Sequence, residues 1–279
     1  MRNYQTQMEA AKRGMITPEM QTVAEKEHID VEKLRERVAR GTVAIPANRN
    51  HTSLSAEGIG EGLRTKINVN LGISGDCKDY TVEMQKVDMA LKFGAEAIMD
   101  LSNYGKTNTF RQQLIAKSPA MIGTVPMYDA IGYLDKDLLE ITAQDFLKVV
   151  RAHAEEGVDF MTIHAGINRR SVEAFRREGR LMNIVSRGGS LLFAWMMMTG
   201  NENPFFEYYD DVLDILREYE DNPTKIWESD IFGKSLYDLV NDGMLNKLYK
   251  MPGEAREKMQ ETLQRVINEG SDGLICIIL

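Results

Sequence analysis

The stretch KINVNLGISGDCKDYTVEMQKVDMALKFGAEAIMDLS, residues 66–102, decides the fold. Its first nine residues alternate apolar and polar side chains, the period of a strand. An amphipathic helical pattern follows over residues 80–95 and stops at a glycine, and EAIMDLS (96–102) reads as a second strand. Strand, helix and strand at this spacing predict parallel pairing through a crossover helix. The rhythm continues downstream. NTFRQQLIAKS (108–118) reads as helix and MIGTVPMY (121–128) as a third strand. TAQDFLKVVRAHAEEG (142–157) is a helix with Thr142 as its cap and Asp145 at the third position. VDFMTIHAG (158–166) is a fourth strand and RSVEAFRREGR (170–180) a helix. MNIVSRGG (182–189) is a fifth strand leading into the helix SLLFAWMMMTGN (190–201).

Two architectures fit such alternation, a (β/α) barrel and a doubly wound open sheet. The barrel is the better reading. Each strand ends in a polar or glycine-containing turn (NLG, MDLS, PMY, IHAG, SRGG), and barrel sites are built at that carboxyl end. An open sheet concentrates such residues at one switch point. The expected fold class is therefore α/β, a partial (β/α)8 TIM-type barrel of about five βα units over residues 66–219. Residues 1–65 precede it as a helical and extended segment. Thr17-Pro18 starts a polar amphipathic helical run that reaches Gly41, and TVAIPANRNH (42–51) is extended because residues before proline avoid the helical region. After FFEYYDDVLDILREYE (205–220) the rhythm breaks. Residues 220–279 read as a helical tail whose last helix runs from about Pro252 to Glu269, with GLICIIL (273–279) as a terminal strand.

The formal net charge is -8, so no basic surplus exists to neutralise a nucleic-acid backbone. Neither a signal peptide nor a run long enough to span a membrane is visible. The two cysteines, Cys77 and Cys276, lie far apart, which argues against a disulfide framework or structural zinc and for a reducing cytoplasm. GxxxxGK[ST], HExxH and nucleophile-elbow motifs are missing from the sequence.

Candidate site residues cluster at strand ends. Asn68 and Asn70 project from one strand face, either to bind a heterocycle or ribose hydroxyls or to cap the following turn. Met99 and Asp100 close the second strand, methionine suiting core packing and the carboxylate suiting the barrel mouth. Tyr128 ends the third strand, and His164 ends the fourth before a small-residue turn. Ser186-Arg187-Gly188-Gly189 carries the best local signal. Glycines let the backbone approach an anion, the helix N-terminus attracts it, and arginine binds it bidentately; the plain alternative is a glycine-rich turn with a surface arginine.

Taken in order, AAKRGMITPEMQTVA (10–24), AIPANRNH (44–51), KINVNLG (66–72), AIMDLS (97–102), IGTVPMYDA (122–130), DFMTIHAG (159–166) and IVSRGGS (184–190) resemble the phosphomethylpyrimidine synthase (ThiC) family over about residues 5–219. The resemblance implies a (β/α) barrel lyase with radical S-adenosylmethionine chemistry, a [4Fe–4S] cluster and zinc. It implies a step of thiamine biosynthesis, the rearrangement of aminoimidazole ribotide to hydroxymethylpyrimidine phosphate. By that resemblance Asn70, Met99, Tyr128, His164, Ser186, Arg187, Gly188 and Gly189 correspond to substrate-binding positions. A paralogue acting on the same ribotide, 5-hydroxybenzimidazole synthase, shares these motifs. The family's DG(L/M)R segment, zinc-binding histidines and CxxCxxxxC cluster motif have no counterpart in this sequence, which implies a truncated chain that binds ribotide without turnover. NPTKIWESDIFGKSL (222–236) and residues 247–279 resemble the C-terminal end of stage IV sporulation protein A, an ATP-dependent spore-coat scaffold. The whole thus resembles a fusion of two family fragments. Expected partners are a small-molecule ribotide, spore-coat proteins through the tail, and a second copy where GLICIIL pairs between chains rather than on this sheet's edge.

Overall fold

The structure is a computed structural model, and it describes residues 4–134, 136–178, 184, 186–219 and 275–278. The N-terminal segment holds three helices, α1 (Gln7–Lys12), α2 (Pro18–Glu27) and α3 (Val31–Arg40). Thr6, Thr17 and Asp30 cap them, each side chain accepting a backbone N–H two or three residues on. The expected continuous run to Gly41 is broken, because His28 adopts a left-handed conformation and Asp30 then starts α3 afresh. Ala10, Met20, Val23, Leu34 and Val38 form a small core of their own. A two-residue antiparallel pair, β1 (Val43–Ala44) and β2 (Ile59–Gly60), closes the segment.

The main layer is one sheet. β3 (Asn68–Leu71), β4 (Ala97–Asp100), β5 (Met121–Thr124) and β6 (Phe160–Ile163) pair in sequence order, all parallel. Helix α4 (Tyr80–Lys92) joins β3 to β4 and α5 (Thr107–Lys117) joins β4 to β5. α6 (Pro126–Leu134) and α7 (Ala143–Glu156) stand between β5 and β6, with α7 carrying the expected Thr142–Asp145 capping box. After β6 come α8 (Arg169–Glu178), α9 (Arg187–Thr199), α10 (Pro204–Glu207) and α11 (Tyr209–Tyr219). The fold class is therefore α/β, a partial barrel.

Two expectations change in detail. The third strand stops at Thr124, since Pro126 cannot donate to a ladder but suits a first helical turn, and Tyr128 lies on α6. The fifth strand falls largely on residues outside the described set, and Arg187, Gly188 and Gly189 begin α9 instead of ending a strand. The tail helices lie outside the described residues. Of GLICIIL, β7 (Ile275–Ile278) is described and pairs antiparallel with β6, so the sheet's edge takes it. No helix among the described residues is long and apolar enough to cross a membrane.

A buried ion pair fastens the extended segment after β1 to the barrel. His51 Nδ1 lies 2.6 Å from Asp159 Oδ2 and Nε2 lies 2.8 Å from the Ser118 carbonyl. Asp159 also accepts the backbone N–H groups of Asn48 and Ile122, at 3.0 and 2.7 Å. Burial raises the Asp159 pKa against the pull of His51, but both its oxygens accept backbone N–H groups, as an ionised carboxylate does. Since the Ser118 carbonyl only accepts, both ring nitrogens donate and the ring is an imidazolium. Burial alone would depress the His51 pKa, but the hydrogen bond and charge of Asp159 outweigh it and raise it.

A histidine with a raised folded pKa stabilises fully below its unfolded value of ~6.5, and that contribution fades as pH rises through the folded value. Replacing His51 by Gln should therefore cost about 3–5 kcal/mol in urea unfolding at pH 6 and clearly less at pH 9. An equal cost at both pH values would contradict the charged pair.

Candidate functional site

Strand register sorts the site residues by face. Asn70, Met99, Gly123 and Phe160 are successive partners across β3 to β6, and side chains of paired residues in parallel strands project to one side. Gly123 confirms the direction, since a Cβ there would come within 2.2 Å of the Phe160 ring and 2.4 Å of Met99 Sδ. The glycine leaves the space that these two side chains fill, in a layer facing the barrel interior. Asn68 and Asn70 lie at the open end of that layer, exposed, with Asn68 Nδ2 donating to Asn70 Oδ1 at 3.1 Å.

The next residue on each strand faces the other way. Asp100 and Thr124 point into the helices, and Asp100 does not line the mouth as the sequence suggests. Its carboxylate sits 3.5 Å from the guanidinium of Arg111 on α5, which also meets Asp129 at 3.2 Å and the Glu156 carboxylate. Desolvation raises the pKa of Asp100 against the pull of Arg111. His153 on α7 completes this cluster, its ring nitrogens 2.9 Å from Thr124 Oγ1 and 2.9 Å from Asp129 Oδ2. Burial, with Arg111 close by, lowers its pKa to about 4. The ring is then neutral near pH 7: Nε2–H donates to Asp129 and Nδ1 accepts from Thr124. Nothing in the sequence pattern marks these residues as a set, because their partners come from separate βα units.

At the carboxyl end of β6 the remaining candidates meet. His164 is buried, and its Nε2 lies 3.0 Å from Ser186 Oγ. Its Nδ1 has no hydrogen-bond partner among the described residues. Burial lowers its pKa to about 4. Asn203, just before α10, donates to the carbonyls of His164 and Ile167, both at 2.7 Å, and so fixes this strand end. Ser186 caps α9 by accepting the Gly189 N–H at 3.1 Å. Gly188 packs on the imidazole so closely that a Cβ would lie 2.2 Å from His164 Cε1. The Tyr128 ring is 6.3 Å from the His164 ring, and the Arg187 guanidinium rests 5.5 Å from the Tyr128 centroid. Such a cation–π contact at an exposed position contributes about 0.5–1 kcal/mol.

The structure thus gathers Tyr128, His164, Ser186, Arg187, Gly188 and Gly189 into one cluster around the α9 N-terminus, and leaves Asn70 and Met99 on the interior sheet face. Among the described residues no group of three or more histidine, cysteine, aspartate and glutamate side chains is placed to hold a metal ion.

The profile of the Radical SAM ThiC family matches residues 6–222. The chain belongs to that family. Within the ThiC family, the phosphomethylpyrimidine synthase of Clostridium tetani is 57% identical over 268 residues, covering 96% of this chain and 58% of that relative. Those of Alkaliphilus metalliredigens and Campylobacter jejuni are each 63% identical, over 218 and 215 residues, and each is covered over 50% of its length. The chain therefore spans about half the length of the ThiC relatives it matches. A second profile, the C-terminal region of sporulation stage IV protein A, matches residues 209–279. The two matches overlap over residues 209–222, a stretch that includes α11.

Two outcomes follow from the packing around His164. Its side chain should titrate near 4 by NMR rather than at the ordinary ~6.5. The unfolded chain takes up that proton first, so this histidine should weaken the fold as pH falls from ~6.5 towards 4. Gly188→Ala should force the imidazole to move and cost about 1–3 kcal/mol of stability, read from thermal or urea unfolding.

Proposed function

We propose that this chain is the ribotide-recognising part of a phosphomethylpyrimidine synthase, and that the α9 N-terminus is the seat of the ribotide phosphate. The single observation that supports this best is the cluster itself: a capped helix start with two glycines, a cation resting on an aromatic ring, and the unpartnered Nδ1 of a buried histidine. Free N–H groups and the helix dipole favour an anion there, and Arg187 supplies a planar fork of donors. When Ser186 gives its hydroxyl proton to His164 Nε2, the neutral ring carries its own proton on Nδ1 and offers it to the ligand. On this reading Met99 and Phe160 form an apolar floor for the heterocycle, with Asn70 at its rim.

The residues of this chain do not fit a radical S-adenosylmethionine cluster. Three thiolates are needed to hold three irons and leave the fourth open. The sequence has two cysteines, and Cys77 donates to Glu83 Oε1 at 3.0 Å. Two of its four histidines, His51 and His153, already have both ring nitrogens engaged within the protein and are not available to zinc. We read residues 1–65, 66–219 and 220–279 as the domains, and the chain as a binder that does not turn over by itself. The match of residues 209–279 to the sporulation protein favours a second role, docking of the tail to a spore-coat layer. A fluorescent fusion of residues 220–279 should then gather on the forespore, and a diffuse signal would remove that role.

Calorimetric titration of the full chain with aminoimidazole ribotide tests the main reading. Binding should be saturable, and Arg187→Ala should weaken it about tenfold or more, the loss expected of a charge-assisted hydrogen bond. Equal affinity of the variant would overturn the assignment of the phosphate seat.

A further inference from the structure

Each of two site residues is followed by an acid that points away from the site. Met99 precedes Asp100 and Tyr128 precedes Asp129, and both carboxylates enter the buried Arg111 cluster. The second pair is the more consequential. Tyr128 is the side chain that lies against both His164 and Arg187, and it stands in the first turn of α6, half-buried against the main core. Asp129 in the same turn is anchored by three side chains from two elements, α5 and α7. Thr107 Oγ1 of α5 donates to its Oδ1 at 2.6 Å, Arg111 of α5 approaches Oδ2 at 3.2 Å, and His153 Nε2 of α7 approaches Oδ2 at 2.9 Å. Through His153 the same anchor reaches Thr124, the last residue of β5 and two residues before the helix. Thr124 and Asp129 therefore bracket Tyr128 on both sides in sequence, and one hydrogen-bond chain fixes both. All of these groups are buried, so water does not compete for them.

We propose that Asp129 is the positioning residue of the anion seat: by locking the first turn of α6 it holds the Tyr128 ring where the Arg187 guanidinium can rest on it. The inference rests on the reading of the α9 N-terminus as a phosphate seat. Asp129 touches no ligand. It acts through Tyr128, which in turn restrains a long exposed side chain that would otherwise sample many rotamers. An asparagine there keeps the shape but removes the charge that Arg111 and His153 meet. Its amide either faces those two donors or takes the Thr107 hydroxyl as an acceptor and loses the bond that hydroxyl donates.

Inorganic phosphate is the probe, titrated into the full chain. Asp129→Asn should weaken it about fivefold to tenfold, and the gentler Thr107→Val about twofold to threefold, with helical content unchanged by circular dichroism. The decisive comparison is a double-mutant cycle. In a Tyr128→Leu background, Asp129→Asn should add no further loss, because the ring it positions is gone. Additive losses would overturn the proposal and make Asp129 a structural residue alone. The upfield ring-current shift of the Arg187 side-chain protons gives a second readout that needs no ligand. It should be present in the parent chain and reduced in both Asp129→Asn and Thr107→Val. Where the parent chain fails to bind phosphate, the seat itself is refuted, and a shift that survives both substitutions refutes the role of Asp129 separately.

Discussion

Side-chain alternation along four parallel strands in fixed register governs most of what is built on this sheet. One row, from Asn70 through Met99 and Gly123 to Phe160, faces the interior, while the next, from Leu71 through Asp100 and Thr124 to Met161, faces the helices. Slipping β4 by a residue would bring Asp100 into the apolar interior and Met99 among the charges. The register is enforced where the cost of error is greatest. Gly123 admits only the side chains beside it, and Arg111 collects carboxylates from β4, α6 and α7. Losing either arrangement leaves a clash or an unpaired buried charge.

The two faces divide the work. In the helix-side cluster Asp100, Arg111, Asp129 and His153 are buried, with Glu156 partly exposed at their margin, and together they fix strand ends and helix starts. The candidate site consists of groups just beyond the strands: a neutral imidazole, a hydroxyl that caps a helix, two glycines and one exposed cation. His51 and Asp159 do the corresponding work at the opposite end of the strands, where they tie the segment after β1 to the barrel. Closure is incomplete on the described residues. β7 covers the outer edge of β6, while beside β3 the apolar side chains of Ile67, Val82, Met89 and Phe93 remain exposed along α4.

Much of this was legible in the sequence, for identifiable reasons. Strands of four residues with crossover helices announce themselves by periodicity, and Thr17 and Thr142 mark helix starts because capping is a local interaction. His164 and the Ser186–Gly189 segment could be named from strand-end position and glycine content. What periodicity could not carry was direction and closure. Asp100 reads as a mouth residue because a strand end is ambiguous by one position, and one position reverses the face. Tyr128 was placed on a strand because MIGTVPMY is apolar throughout, and only the missing N–H of Pro126 separates its two halves. The Asp129 and His51 networks join residues from 18 to 108 positions apart, and no local pattern encodes such pairings.

Backbone amide NMR during a titration with the ribotide tests the central claim most directly. The account predicts that the amides of Arg187 and Gly188, the two first-turn N–H groups that Ser186 does not take, shift downfield together and saturate at one dissociation constant, with the Tyr128 and His164 ring signals moving in step. Shifts confined to scattered surface lysines and arginines, with the α9 amides unmoved at saturation, would contradict it.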